Sequence, residues 1–367
     1  MASIHGGDVE AVAREYGVPV GDLIDFSASI NPLGPPRSVL ERLQRDAADA
    51  SSLARYPDPE YAELRSALAT WLNVPPACIV IANGSAALFG AVVRSIRADT
   101  CLLPAPAFSE QQQALLAAGC RIERFPLSAE DGFRLDVPEL CRTIAARKPS
   151  LCVLTNPHNP SGVLTTAAEM LTVVHAAAAA DVRLLVDEAF IDFAAGETLT
   201  ELAPHDHAIV LRSLTKFFGM PALRVGYAVA SPEIAARIGS QLPAWPVTTL
   251  AAGAAVEALR DEAYARATLA AVAEERPRLR ERLAGLDIET YASAANFLLL
   301  RLPERAPDST RLRAQLIRQC RIVVRDCRSF DGMADGRFIR AAVRSRADND
   351  RLVDALRTVL QEMSVAD

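Results

Sequence analysis

From about residue 77 to residue 230 the chain alternates short apolar runs with longer segments of helical period, and this alternation constrains the fold more than any other feature. CIVIAN, TCLLPA, RIERFPL, SLCVLTN, VRLLVDEAF, AIVLRSL and GYAVA read as strands. SAALFGAVVRSI, EQQQALLAAG and AAEMLTVVHAAAAA read as helices between them. Near-continuous β-branched runs bounded by turn residues fit strands covered on both faces, as in a mostly parallel sheet. Strand and helix in repeated succession predict an α/β layer architecture.

The flanks follow other patterns. Residues 1–45 are rich in loop signals, including the cluster NPLGPP. After residue 231 the helical segments SPEIAARIGSQL, TTLAAGAAVEAL and DEAYARATLAAVAEERPRLRERL follow one another. NFLLLRL, RIVVRD and RFIRAAV then alternate with the helical DSTRLRAQLIRQC and NDRLVDALRTVLQEM. A length of 367 residues is enough for two lobes. The expected division is a large α/β domain over 46–250, a small α+β domain over 251–367, and an N-terminal segment, 1–45, that joins the small one. No internal repeat is visible.

Composition removes several classes of function. The formal net charge is -6 and the basic residues are scattered, which gives no footprint for nucleic acid. No apolar run reaches the roughly 18 residues of a membrane span, and MASIHGGDVE lacks a basic-then-apolar leader, so a cytoplasmic protein is expected. Seven dispersed cysteines without a C-x-x-C pair fit reduced, mostly buried thiols. His205 and His207 in APHDH form half a metal site at best, with no third ligand nearby, and read as a turn; no metal is expected.

The chain has two lysines against 37 arginines. Lys148, in AARKPS, reads as a helix-end charge. Lys216 lies in SLTKFFGM among Leu214, Phe217, Phe218 and Met220. A desolvated lysine amine gives up its proton, which arginine does not, and a free amine condenses with an aldehyde. The alternative is a surface lysine following a strand. Ser213, Thr215 and Arg224 favour the reactive reading, because two hydroxyls and a guanidinium suit a phosphate monoester.

Three further stretches sit at strand ends. NGSAALFG opens a helix, so the N–H groups of Ser85 and Ala86 would face an anion, although Gly-Ser turns also serve capping alone. VRLLVDEAF ends a buried strand with Asp187 and Glu188, at the edge where α/β sheets carry their sites. Asp187 suits a protonated ring nitrogen; Glu188 reads better as a salt-bridged or capping acid. LTNPHNPSG holds Asn159 in a proline-fixed loop, as a turn residue or as a donor to a ring hydroxyl. Lysine, phosphate cradle, carboxylate and asparagine together describe a site for pyridoxal 5'-phosphate (PLP).

NPHNPSG, VDEAF and SLTKFFGMPALRVGY resemble, in order and spacing, the signatures of the fold-type I PLP enzymes of the aminotransferase class I/II superfamily, over nearly the whole chain. Within it, HGGDVEAVAREYGV, LIDFSASINPLGPP and RYPDPEYAELRSAL resemble the threonine-phosphate decarboxylase family of the cobalamin pathway, a near relative of histidinol-phosphate aminotransferases. The resemblance implies that Lys216 holds PLP as an imine, that Asp187 pairs with the pyridinium and that Asn159 bonds the ring 3-oxygen. It gives Gly84, Ser85, Ser213 and Arg224 to the phosphate and stacks Phe108 on the ring. It sends Tyr56 to the cofactor phosphate of a neighbouring subunit, hence a homodimer with shared sites. Asn31, Arg325 and Arg340 would bind substrate, and His5 would contact its phosphate. Taken singly, Phe108 also fits the core, Tyr56 a packing position, Asn31 a turn, and the two arginines a surface.

Phe190 stands where many aminotransferases carry a tyrosine, Ser85 replaces a frequent acid, and NPHNPSG departs from the commoner NPxNPTG. The expected reaction is decarboxylation of L-threonine O-3-phosphate to (R)-1-amino-2-propanol O-2-phosphate. A histidinol-phosphate-type aminotransferase and an O-phosphoserine decarboxylase are the alternatives.

Overall fold

The computed structural model describes residues 6–194, 196–204 and 207–365. His5 and His205, both weighed above, lie outside them. Seven strands form the central sheet in the order Ile79–Ala82, Gly226–Val229, Ala208–Ser213, Arg183–Asp187, Leu151–Thr155, Thr100–Ala105, Arg121–Pro126. Gly226–Val229 is antiparallel to both its neighbours, and every other adjacent pair is parallel. The sheet is therefore mostly parallel, as the alternating pattern predicts.

The two-residue period of a strand divides these side chains between two cores. Ile79, Ile81, Leu102, Cys152, Leu154, Leu184, Val186 and Val210 face one layer. Val80, Cys101, Leu103, Leu151, Val153, Leu185, Ile209 and Leu211 face the other, with helix Gly84–Ile96 packed over them. Burial on both faces is why the strands read as continuous apolar runs. All seven cysteines are free thiols.

A four-stranded antiparallel sheet, ordered Arg325–Asp326, Phe338–Ala342, Phe297–Arg301, Glu289–Thr290, forms the second unit. The N-terminal strand Ile24–Asp25 pairs in parallel with Ile322–Val323, so both chain ends meet there. The Phe26 N–H continues this to the Val323 carbonyl at 2.8 Å, and the Phe26 carbonyl accepts from Ala342 at 2.9 Å.

Three local expectations change. RIVVRD is two short strands in different sheets, Ile322–Val323 and Arg325–Asp326. Residues 1–45 are less loop-rich than their composition suggests. Helix Val9–Tyr16 is capped by Asp8 and stopped by left-handed Gly17, and helix Arg37–Ala48 begins directly after Pro36. The expected division at 250 and 251 falls inside helix Thr249–Arg260, which packs on Arg37–Ala48 and Ala62–Leu72. No helix among the described residues is long and apolar enough to cross a membrane.

Candidate active site

The carboxyl ends of the parallel strands converge on one cavity of about 240 Å³. Asp187 ends its strand, in register with Leu211 on one side and Thr155 on the other. Lys216 follows the next strand by three residues, in the short helix Leu214–Phe217. Neighbouring parallel strands thus deliver a carboxylate and an amine to the same edge, and both line the cavity.

Burial pushes the Asp187 carboxyl up to about 6 and the Lys216 amine down to about 8. For Asp187 the rise is opposed by hydrogen bonds from the Ala189 N–H and the Gln111 amide, both 3.1 Å. For Lys216 the fall is deepened by the cations of Arg340 and Arg224. Lys216 forms no ion pair among the described residues, and an amine near 8 is partly neutral at physiological pH.

Helix Gly84–Ile96 begins without a side-chain cap from Asn83, leaving its first N–H groups open toward the cavity. Gly84 has φ of 81°, and a Cβ there would stand 2.7 Å from Arg224 Nη2. Ser213 Oγ and Thr215 Oγ1 lie 2.7 Å apart beneath the same opening, and Ser85, Ala86, Ser213, Thr215 and Arg224 all line it. Open helix N–H groups, two hydroxyls and a guanidinium form an anion cradle. With an unpaired amine and a carboxylate beyond it, these residues fit PLP.

Asn159 completes this wall. Its Oδ1 accepts from Arg340 Nη1 at 2.5 Å, which turns its NH2 into the group left to donate. Phe108 lines the same cavity, and so does Phe190, whose ring packs edge-on against Phe297 with centroids 5.0 Å apart.

The facing wall belongs to the small sheet. Arg325 and Arg340 are directly opposed on antiparallel strands, both buried, and neither meets a carboxylate within ion-pair distance among the described residues. Burial lowers the pKa of both, that of Arg340 to about 10. Arg325 donates to Ser329 Oγ at 2.6 Å, and Arg340 Nη2 to the Ser27 carbonyl at 3.2 Å. Like charges set opposite one another are destabilising, so the pair marks a place for an anion.

Two expected site residues stand elsewhere. Asn31, expected on the substrate, does not line the cavity: its amide donates to the Phe217 carbonyl at 2.5 Å and to Thr268 Oγ1 at 2.7 Å, while its carbonyl accepts from Leu33 at 3.0 Å. Its amide is consumed in tying the N-terminal loop to the turn after Lys216. Tyr56 is 77% exposed and stacked on Trp245, away from this chain's own cavity. Glu188 is the salt-bridged acid expected of it. It is fully buried, accepts from Thr198 Oγ1 at 2.6 Å and from the Leu199 N–H at 2.8 Å, and lies 3.5 Å from Arg212, which also pairs with Asp192.

Gln111, Glu110, Thr155, Ser27, Ser29 and Phe330 escape the sequence reading. All but Gln111 line the cavity, and Gln111 spans Asp187 and Thr155 with one amide. Nothing in EQQQ separates it from the two glutamines that follow. Gly6 also lines the cavity, and a Cβ there would meet the Ser27 carbonyl at 2.2 Å, which accounts for glycine in the HGG start.

The arrangement of strands and site has counterparts. The chain is 38% identical to threonine-phosphate decarboxylase of Salmonella typhimurium, covering 100% of this chain and 99% of that one. It is 30% identical to the adenosylcobalamin biosynthesis bifunctional protein CobDQ of Leptospira interrogans, over 97% of this chain and 41% of the other. Histidinol-phosphate aminotransferase of Sinorhizobium meliloti, in complex with pyridoxal-5'-phosphate, superposes with a TM-score of 0.86 at 25% identity, covering 96% of this chain and 95% of that one. A sequence profile of the aminotransferase class I and II family matches residues 21–356, from just before the N-terminal strand to midway along the last helix, Arg346–Val365. An amine and a carboxylate on adjacent strand ends, an uncapped helix above them and this match over nearly the whole length lead to one conclusion: the chain belongs to the aminotransferase class I and II family.

Proposed function

We propose that the chain is a PLP-dependent carboxy-lyase that converts L-threonine O-3-phosphate to (R)-1-amino-2-propanol O-2-phosphate in cobalamin biosynthesis. The observation that carries this reading is the opposed pair Arg325 and Arg340, buried without a carboxylate partner in the cavity that holds Lys216 and Asp187. With the cradle at Gly84 and Arg224 assigned to the cofactor phosphate, the two remaining guanidiniums suit a substrate with two acidic groups, a carboxylate and a phosphate. The similarity to threonine-phosphate decarboxylase of Salmonella typhimurium supports the same substrate.

When bound, PLP supplies the electron sink for a bond broken at the substrate's Cα. The protein's part is placement and proton control. Asp187 would favour a proton on the ring nitrogen, Asn159 would offer its NH2 to the ring oxygen, and the helix at Gly84 with Arg224 would take the cofactor phosphate. Arg325 and Arg340 would hold the substrate's acidic groups and so fix the orientation of its Cα bonds, and the Lys216 amine, which lines the same cavity, would be at hand to return a proton to Cα. Misplacement by about 1 Å costs on the order of 100-fold, so this positioning chooses between losing carbon dioxide and losing hydrogen.

The exposure of Tyr56 supports a homodimer with shared sites; a cytoplasmic location belongs to the same proposal. Tyr56 is exposed, points away from its own cavity and lies with Leu33, Leu40, Leu53 and Trp245 among the exposed large apolar residues. Sedimentation of the purified protein as a monomer, with full activity, would remove that part of the reading.

The decisive experiment incubates the PLP-loaded protein with L-threonine O-3-phosphate and detects carbon dioxide. An oxo-acid product without carbon dioxide release would overturn the proposal in favour of a histidinol-phosphate-type aminotransferase, the reading supported by the 0.86 TM-score. An aminotransferase would also lose its cofactor absorbance stoichiometrically on amino donor alone. O-Phosphoserine, one methyl smaller, is expected to react as well, since a methyl is worth only about 1–3 kcal/mol in an apolar pocket.

A further inference from the structure

Ten buried side-chain nitrogen or oxygen atoms have no hydrogen-bond partner among the described residues. Only two of the ten, Ser29 Oγ and Arg340 Nε, belong to residues lining the active-site cavity. A buried hydroxyl without a partner is costly, and natural structures seldom leave one inside. Ser29 is 1% exposed, so water from bulk does not relieve it.

The loop that carries Ser29 is held at both ends. Asp25 Oδ1 accepts from the Ser27 N–H at 2.7 Å and from the Ser27 hydroxyl, and the Ser27 carbonyl accepts from Arg340. The Ile30 N–H closes a tight turn to the Ala28 carbonyl at 2.9 Å. Asn31 then pins the far end to the backbone of Lys216 and Phe217. A hydroxyl so placed is preorganised: it gives its hydrogen bond to a ligand without first ordering a loop.

Resting on the substrate reading above, we propose that Ser29 is a substrate-binding residue whose hydroxyl donates to an oxyanion of the substrate held alongside Arg340. Nothing in SASIN separated this serine from ordinary loop residues. The shared chemistry is an anionic oxygen, carried by either the carboxylate or the phosphate, and the test separates the two.

The PLP-loaded protein is titrated with phosphoethanolamine, which has the phosphate without the carboxylate, and with L-2-aminobutyrate, which has the carboxylate without the phosphate. Binding is followed calorimetrically in wild type, Ser29→Ala and Ser29→Cys. Loss of a hydrogen bond to a charged group weakens affinity about tenfold or more. The expected result is that loss for one probe in Ser29→Ala, with the other probe within twofold and the melting temperature nearly unchanged. KM for L-threonine O-3-phosphate rises while kcat holds. Ser29→Cys fills the same space with a weak donor, so it stays as impaired as the alanine variant. Equal affinity of both probes for wild type and Ser29→Ala overturns the proposal, and so does full recovery in Ser29→Cys, which would show packing to be the cause. If wild type binds PLP yet neither probe, the substrate reading itself fails and takes this proposal with it.

Discussion

The two walls of the active-site cavity are built on opposite principles. The large-sheet wall is largely complete in itself: Asp187 accepts two hydrogen bonds, Ser213 and Thr215 satisfy each other, and Asn159 is oriented by Arg340. The facing wall, the small sheet with the N-terminal loop beside strand Ile24–Asp25, is unfinished, with two cations opposed and an arginine nitrogen and the Ser29 oxygen left without partners among the described residues. One wall is a socket whose charges are balanced for a resident group. The other stores electrostatic and desolvation cost that only an arriving anion relieves. Within the first wall, Asp187 and Glu188 repeat the contrast at the scale of one peptide bond. The first opens to the cavity; the second turns away and is neutralised by Arg212 and two threonine-loop donors.

The largest effect should follow from removing the amine of the socket. Lys216→Ala is expected to abolish the borohydride-trapped PLP adduct and to lower turnover by on the order of 1000-fold or more. Persistence of both would break the assignment of this wall to the cofactor. Asp187→Asn should cost on the order of 100- to 1000-fold in kcat with little change in stability. Glu188→Gln should reverse that profile, with about 2 kcal/mol lost in urea unfolding and turnover of the folded protein within a few-fold. If the two neighbours behave alike, the division between them is wrong.

The unfinished wall makes a different prediction. Arg325→Met should raise KM for the substrate about 10- to 100-fold while leaving the melting temperature equal to or above wild type, because a like-charge opposition is removed. A melting temperature well below wild type would mean that the pair is structural.

The effect furthest from turnover, on stability alone, concerns His158, whose ring is held by Ser161 Oγ at 2.7 Å and the Pro106 carbonyl at 2.8 Å and so ties the Asn159 loop to the strand end leading to Phe108. Burial depresses its pKa from 6.5 to about 4. The unfolded chain takes the proton first, so this stability is complete above pH 6.5 and is lost as pH falls toward 4, on the order of 3 kcal/mol in all. Glu188, raised from 4.5 to about 7, works the other way, losing stability as pH rises through that window. The difference between wild type and His158→Asn isolates the histidine: urea-unfolding free energies should converge as pH falls from 7 to 4.5. Parallel curves would show that the ring does not titrate there.

How much was legible follows from where each signal lives. Six of the seven central strands are buried on both faces and announce themselves as apolar runs; the edge strand Arg121–Pro126, largely exposed, carries that signal only at Phe125. The lining of the large-sheet wall was readable as well, because its side chains sit in short contiguous stretches at strand ends, in NGS, NPHNPSG, VDEAF and SLTKFF. Gln111 was not, since a glutamine on a helix looks the same whether it meets Asp187 or solvent. Asn31 was not legible in its contacts: its neighbours suggested a substrate contact, whereas its amide is bonded to Phe217 and Thr268, 186 and 237 residues away in sequence.

By itself the sequence determined the layered α/β fold and the class of cofactor and singled out the buried Lys216, because periodicity and local motifs act over a few residues. Only the tertiary structure decided that Arg325 faces Arg340, that Ser29 lines their cavity without a partner among the described residues and that Glu188 turns away from the site. Those facts depend on strand register and on contacts between distant segments, and the energy of a buried charge is set by what surrounds it in space.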